Sequence, residues 1–283
     1  MRGEGCVISI TVRRGYSPAV AKRRLDTLLA ERGLYETRSK AAAAVMAGDV
    51  RLGNDGRRAD KPGQLVPEDV AVAVPEGDPF VSRGGIKLAN GLDAFGVDPS
   101  ERQALDVGAS TGGFTDCLLR RGAAAVVALD VAYGELNWRL RQDPRVTLIE
   151  RRNARALSWE ELPFGPDLVV ADVSFISLGK VLPAVLECAA ERFDCLALVK
   201  PQFELDSERV GKGGVVRSAE DRRAALLAVG TLVRDELGLS VLGYASSGLP
   251  GPAGNQESFL WIAEAGREGA LDDLEAAARR IEP

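Results

Sequence analysis

Apolar residues recur along this chain with two different periods. In the first part the period is helical: Leu25, Leu28 and Leu29 fall on one face of a helix starting at Lys22, and Gly33 supplies its stop. A second helix fits Thr37 to Ala47, with Thr37 or Ser39 near its cap and Gly48 ending it. Asp49 to Leu52 and Val70 to Val74 then read as short strands, with a Gly53-Asn54-Asp55-Gly56 turn after the first. Pro75-Glu76-Gly77-Asp78-Pro79 follows, and two prolines with a glycine stop both helix and ladder, so the segment reads as a linker. Beyond it the texture changes to apolar runs at 104–109, 124–131, 145–149, 167–173, 195–199, 239–245 and 258–263. Helical stretches, including 178–190 and 219–236, separate most of them. Seven such strands predict a mostly parallel α/β sheet covered on both faces, whose ligands sit outside the carboxyl ends of the strands.

Composition narrows the chemistry. The 283 residues contain no histidine, which excludes an imidazole base and every metal site with His ligands. Cys6, Cys117, Cys188 and Cys195 form no CxxC pair and read as free thiols in a reducing compartment. No stretch approaches the roughly 18 apolar residues of a bilayer span, and Val7 to Val12 is too short for a signal peptide, so a cytoplasmic protein with no membrane association is expected. The net charge of −5 hides an asymmetry: residues 13–61 carry 12 Lys/Arg against 6 Asp/Glu, and the remainder of the chain is strongly acidic. A small basic front joined to an acidic body is consistent with a solvated basic face or with a module that binds a polyanion.

The sharpest local signal is Leu105-Asp106-Val107-Gly108-Ala109-Ser110-Thr111-Gly112-Gly113-Phe114-Thr115-Asp116. A buried strand runs through a small-residue turn into a helix, leaving backbone N–H groups open to a ligand. Its spacing is not that of a dinucleotide fingerprint, and Asp106 ahead of the first glycine suits a cationic or hydroxyl-rich ligand. About twenty residues on, Asp130 ends the next strand, where a carboxylate can accept both hydrogen bonds of a ribose diol. Together these resemble the pocket of class I S-adenosylmethionine methyltransferases. Later strands end at Asp172 and Lys200; Lys87 lies just past the linker and Glu257 before the last strand.

Taken in order, Lys87, Asp172, Lys200 and Glu257 resemble the Lys-Asp-Lys-Glu tetrad of FtsJ/RrmJ-type RNA ribose 2′-O-methyltransferases. The motifs SRGGIKL, DVGASTGGFTD, ADVSFISL, LVKPQFE and GNQE, with the basic front, resemble the two-domain TlyA family of ribosomal RNA methyltransferases over about residues 23–265. The front module is similar to the RNA-binding fold of ribosomal protein S4 through Arg24-Leu25-Asp26, Ser39-Lys40, Gly48-Asp49-Val50 and Asn54. The resemblance implies a Rossmann-like seven-stranded methyltransferase domain over 83–283, a linker over 76–82, a small α+β RNA-binding domain over 22–75 and a tail over 1–21, to which no function is assigned. It implies methyl transfer from S-adenosylmethionine to cytidine 2′-oxygens in ribosomal RNA of the small and large subunits, without an obligatory metal.

Within that reading Lys200 contacts the 2′-OH, Asp172 holds Lys200 and touches the cofactor, and Lys87 and Glu257 orient the ribose. Lys200 between two carboxylates would stay charged and steer a lone pair; beside Lys87 it could lose its proton and act as base. Asp106, Gly108, Ala109, Ser110, Gly112 and Gly113 are expected around the methionine end, Asp130 at the ribose and Asn153 at the adenine edge, with a helix cap as the other reading of Asn153. Phe114 and Phe175 are expected to pack rather than stack on bases. Arg24, Arg38, Lys40 and Arg51 are placed on one RNA-binding face, and Arg83 either reaches RNA or pairs with an acid. A non-catalytic ribosome assembly factor and a membrane-active haemolysin are the competing readings. Oligomeric state is not legible.

Overall fold

The computed structural model of the protein describes residues 21–35, 37–74, 79–211 and 213–282. The chain divides into two compact units, Met1–Gly77 and Asp78–Pro283. The expected tail lies outside the described residues except for Ala21, as do Cys6 and residues 75–78 of the expected linker.

In the first unit β1 (Lys22–Arg24) leads directly into α1 (Leu25–Glu31), followed by α2 (Arg38–Ala47), β2 (Arg51–Leu52), β3 (Arg57–Arg58), β4 (Leu65–Pro67) and β5 (Val72–Ala73). The helix expected from Lys22 therefore starts three residues later. Lys22–Arg24 pairs antiparallel with Leu65–Pro67 instead, a partner too short to show a period of its own. Thr37 caps α2 by accepting from the Lys40 N–H, and Gly48 ends it with φ +88, the left-handed conformation that favours glycine. Leu25, Leu28, Leu29, Ala41, Val45, Val50 and Leu52 form the core. β2 pairs with both β3 and β5, and in the β2–β3 ladder Arg51 lies directly opposite Arg58.

The second unit opens with α3 (Arg83–Phe95) and continues β6 (Gln103–Val107), α4 (Gly113–Arg120), β7 (Ala125–Leu129), α5 (Trp138–Arg141), β8 (Val146–Ile149), β9 (Leu168–Ala171), α6 (Leu182–Glu187), β10 (Asp194–Val199), α7 (Pro201–Glu204), α8 (Ala219–Thr231), β11 (Ser240–Ser246), β12 (Ser258–Ala263) and α9 (Leu274–Ile281). All seven expected strands are present, in the order β11-β12-β10-β9-β6-β7-β8, as one Rossmann-like sheet. β12 runs antiparallel to both neighbours, and the pairs from β10 across to β8 are parallel. The expected helix over 178–190 is broken into a 3₁₀ turn, Leu178–Lys180, and α6, whose proline sits in the first turn where no donor is lost. Apolar side chains pack on both faces of the sheet, and Cys117, Cys188 and Cys195 are buried free thiols as expected.

Parallel strands fix where chemistry can be placed: their carboxyl ends share one rim. There Gly108 takes φ +85, and a Cβ on it would lie 2.5 Å from the Asp172 carbonyl oxygen. The opposite end of the sheet is tied by charge. Asp194 Oδ2 accepts from Arg102 at 2.7 Å and Oδ1 from Trp261 Nε1 at 2.9 Å, while Arg267 Nε donates to Glu264 Oε1 at 2.7 Å.

Two predictions follow from these constraints. Gly108→Ala places a side chain in a left-handed site against backbone and is expected to lower unfolding stability by about 2–4 kcal/mol in urea titrations. The Arg267 hydrogen bond holds Glu264 down at about 2, against the ordinary 4.5. Its stabilisation is therefore present above about pH 4.5 and lost as pH falls toward 2. Glu264→Gln should cost about 1 kcal/mol at pH 7, because solvent screens this partly exposed pair, and the gap from the parent should close on acidification.

Candidate active site

Asp172 and Lys200 each follow the last residue of a parallel strand, β9 and β10, and so stand side by side at the rim. Glu257 directly precedes β12, and because that strand is antiparallel its beginning lies at the same rim. Lys87 is carried there by the first turns of α3, whose start packs on α4 so closely that a Cβ on Gly113 would meet Ser82 Oγ at 2.2 Å and Gly85 N at 2.9 Å. All four side chains line one cleft of about 470 Å³, within the range of about 300–1,000 Å³ usual for small-molecule sites.

They form two ion pairs. Lys87 Nζ lies 2.5 Å from Glu257 Oε2, and both groups are buried. Lys200 Nζ lies 2.6 Å from Asp172 Oδ1 and also donates to Ser174 Oγ at 2.7 Å. Only the Ser174 contact has hydrogen-bond geometry, the Asp172 contact being an ion pair, so the ammonium, with three N–H donors, keeps donors for a further oxygen. Gly251 lies against the other carboxylate: a Cβ there would sit 2.2 Å from Glu257 Oε1. The turn before Glu257 is anchored by Asn255, which accepts from Val216 N and donates to Gly214 O, each at 2.8 Å.

Of the residues expected around a cofactor, Gly108, Ala109, Ser110 and Gly113 line the cleft. Their small side chains leave loop backbone exposed beside carboxylates, a lining that fits a cationic sulfonium with an amino-acid tail. Asp130 accepts from Ser110 N and from Ala132 N, each at 2.7 Å, and thereby fixes Ser110 at φ +47. One further lone pair on each oxygen could still receive a diol.

Three of the expected residues lie off the lining of this cleft. Asp106 does not reach the cleft: it is fully buried, Thr115 Oγ1 donates to it at 2.6 Å, and burial raises its carboxyl to about 7. Gly112 faces the core, where a Cβ would lie 2.3 Å from Leu140 Cδ1. Asn153 caps a 3₁₀ turn, Ala154–Ala156, through the Arg155 N–H at 3.1 Å and is absent from the lining of this cleft. The two phenylalanines divide. Phe114 is buried with its ring 6.0 Å from Phe259, as expected, but Phe175 is 92% exposed at φ +62, its ring 5.3 Å from Phe203. Ser174, Phe203 and Asn255 carry no sequence period; only their nearness to Asp172, Lys200 and Glu257 could have drawn attention to them.

In the first unit the buried Asp26 gathers two of the expected RNA-binding residues, Arg24 Nη2 at 2.7 Å and Arg38 Nε at 3.1 Å. The Arg24 hydrogen bond, with Arg38 adding to it, holds the Asp26 carboxyl well below the usual carboxylate range. Lys40 shares the first turn of α2 with Arg38. Arg51 belongs to the hairpin with Arg57 and Arg58, arginines that the sequence reading passed over, and donates to the turn carbonyl of Gly56 at 3.2 Å. Arg83 lines the cleft and donates to Pro250 O at 2.8 Å, pairing with a carbonyl rather than an acid.

Comparison with known proteins agrees with this geometry. An FtsJ-like methyltransferase model matches residues 80–264 and an S4 domain model matches residues 23–72. The 16S/23S rRNA (cytidine-2′-O)-methyltransferase TlyA of Mycobacterium tuberculosis is 47% identical over 262 residues, 92% of this chain and 97% of that protein. YqxC of Bacillus subtilis is 44% identical over 92% of this chain and 93% of its own length. A solved structure from Streptococcus thermophilus that carries the name hemolysin shares 36% identity with a TM-score of 0.67, covering 93% of this chain and 96% of that one. With the rim tetrad assembled on one cleft and likeness running through both units, the chain belongs to the FtsJ-like methyltransferases that carry an S4 domain.

Proposed function

We propose that the protein transfers the methyl group of S-adenosylmethionine to the 2′-oxygen of cytidine in ribosomal RNA, in the small and large subunits. One observation carries the reading: Lys87, Asp172, Lys200 and Glu257, the outer two 170 residues apart, line a single cleft with a glycine-rich loop suited to the cofactor. When bound, the cofactor supplies a methyl already activated on a sulfonium. The chain's residues must align the oxygen and ease its proton away, because a ribose hydroxyl is a weak nucleophile at neutral pH.

Lys200 is the residue assigned to the 2′-OH. The Asp172 ion pair and the Ser174 hydrogen bond hold its nitrogen, and an N–H not used by Ser174 meets the oxygen, which turns a lone pair toward the methyl. Lys87 and Glu257 form the second pair on the cleft and orient the ribose. Gly108, Ala109, Ser110 and Gly113 are assigned to the methionine end and Asp130 to the cofactor ribose. The exposed ring of Phe175 gives a flat apolar face beside the Lys200–Ser174 contact on which a base can stack.

Arg24, Arg38, Lys40 and Arg51 are assigned to RNA phosphates. The Arg51–Arg58 pairing supports this: like charges directly opposite in a ladder repel unless an anion comes between them. Domain limits of 22–75 and 83–283 are assigned within the units Met1–Gly77 and Asp78–Pro283, and a substrate found in ribosomes makes the cytoplasm the place of action. Among the described residues no helix is long and apolar enough to cross a membrane.

Incubating the protein with ribosomal subunits and labelled cofactor, then mapping nucleotides by mass spectrometry, should find 2′-O-methylcytidine. Methylation on a base would refute the oxygen assignment, and RNA binding without transfer would favour the assembly-factor reading. Lys200→Ala should lower kcat by at least about 100-fold while cofactor affinity stays within about twofold. Lysis of erythrocytes that Lys200→Ala leaves unchanged would favour the haemolysin reading. Arg51→Ala combined with Arg58→Ala should weaken RNA binding and flatten the slope of log affinity against log salt by about one to two.

A further inference from the structure

The residues that would handle the ribose oxygen and the base come from two separate segments. Ser174 and Phe175 lie on the loop after β9; Lys200 lies at the junction of β10 and α7, and Phe203 in α7 itself. Two contacts join these segments, the Lys200–Ser174 hydrogen bond on the cleft lining and the tilted Phe175–Phe203 ring pair next to it in sequence. Neither is enough to explain Phe175, an almost fully exposed side chain held at φ +62. A non-glycine residue stays in that region only where its surroundings over-determine it.

Behind the loop, Glu204 supplies the missing constraint. Its Oε2 accepts from Ser177 Oγ at 2.6 Å and its Oε1 from the Leu178 backbone N–H at 2.9 Å, so both oxygens of one side chain on the β10–α7 turn grip the β9 loop. Ser177 Oγ in turn accepts from Gly179 N at 3.1 Å and caps the Leu178–Lys180 turn. Among the described residues no cation pairs with Glu204, although burial raises its carboxyl above the ordinary value. A carboxylate taken from water and given only neutral donors is unfavourable by itself, which points to a role beyond folding economy. The clamp sits one residue after Phe203 and two after Phe175, directly behind the pair it would keep in register.

We propose that Glu204 is a positioning residue for methyl transfer: by fastening the β9 loop to the β10–α7 turn it holds the Phe175 face and the Ser174 hydroxyl at a fixed spacing from Lys200. The inference rests on the methyl-transfer reading above, and touches neither cofactor nor substrate directly.

The test compares the full chain with its Glu204→Ala, Glu204→Gln and Ser177→Ala variants. Measured for each are kcat and KM on ribosomal subunits, the dissociation constant for S-adenosylmethionine, and hydrogen exchange at the amides of 174–178. Glu204→Ala should lower kcat by at least about 30-fold, with KM and cofactor affinity moving less than about threefold, because a misplacement near 1 Å at the reacting groups is enough for a loss of that order. The Leu178 amide should exchange faster in the same variant. Glu204→Gln should recover to within about fivefold of the parent kcat, since its amide oxygen still accepts from Leu178 and its NH₂ can donate to Ser177 Oγ. Turnover by Glu204→Ala within twofold of the parent, an equal loss in Glu204→Gln, or a loss matched by weaker cofactor binding would each overturn the proposal. If Glu204→Ala does not fold, Ser177→Ala decides: lowered kcat with faster exchange at 176–178 supports the clamp, and no change in either overturns it. A parent protein that transfers no methyl would instead sink the functional reading, and the exchange measurements would still show whether Glu204 pins the loop.

Discussion

Opposite charges buried at one rim of the sheet are the constraint on which the rest of this molecule depends. A lysine or carboxylate withdrawn from water alone is costly, so Lys87 and Glu257, both buried, can exist only as partners. That pairing ties the first helix of the catalytic unit to the turn before its final strand. It also explains why β12 must run against its neighbours: a parallel final strand would begin at the far end of the sheet and leave Glu257 there. The second pair, Asp172 with Lys200, needs no such device, because adjacent parallel strands deliver both residues to one place.

Much of this was legible before any coordinates. Long apolar runs separated by helical stretches declare a parallel sheet, and all seven strands lie where the runs placed them. The rim residues were legible for the same reason, since a polar residue just beyond such a run has only one end of the sheet to occupy. Short elements were not. β1, β3 and β4 span two or three residues each, too few for a period, and β1 was absorbed into the helix it precedes because Lys22-Arg23-Arg24 fits either state. What makes it a strand is a partner forty residues away, which no local pattern encodes.

The misread site residues share a physical cause. Asp130, Asp172 and Lys200 each follow the last residue of a strand and face the rim, whereas Asp106 is inside β6, one residue before its end. That single position turns its side chain into the protein, where a threonine satisfies one oxygen and burial favours the neutral acid. Gly112 and Asn153 lie off the cleft lining for a related reason, because membership of a motif does not reveal whether a residue lines the site or shapes the loop behind it. Phe175 errs in the other direction. Aromatic residues in apolar company usually pack, and only a left-handed backbone angle, invisible in sequence, lifts this one into solvent.

The charge arithmetic of the cleft bears on how the two units divide their work. Within the tetrad two lysines and two carboxylates cancel formally, which leaves Arg83 as the unbalanced charge on the cleft lining and gives a polyanion little net attraction there, and the catalytic unit around it is acidic. Attraction must then come from the first unit, where positive charge is concentrated and arginines face one another across a ladder at a cost that an anion would relieve. Near-balance of charge at the reacting centre has its own logic. A surplus of positive charge would repel a sulfonium, and a surplus of negative charge would repel the phosphates flanking the target ribose. A strongly basic site would hold the RNA and a strongly acidic one the cofactor; a nearly balanced site admits both and leaves most of the RNA affinity to a separately folded basic module.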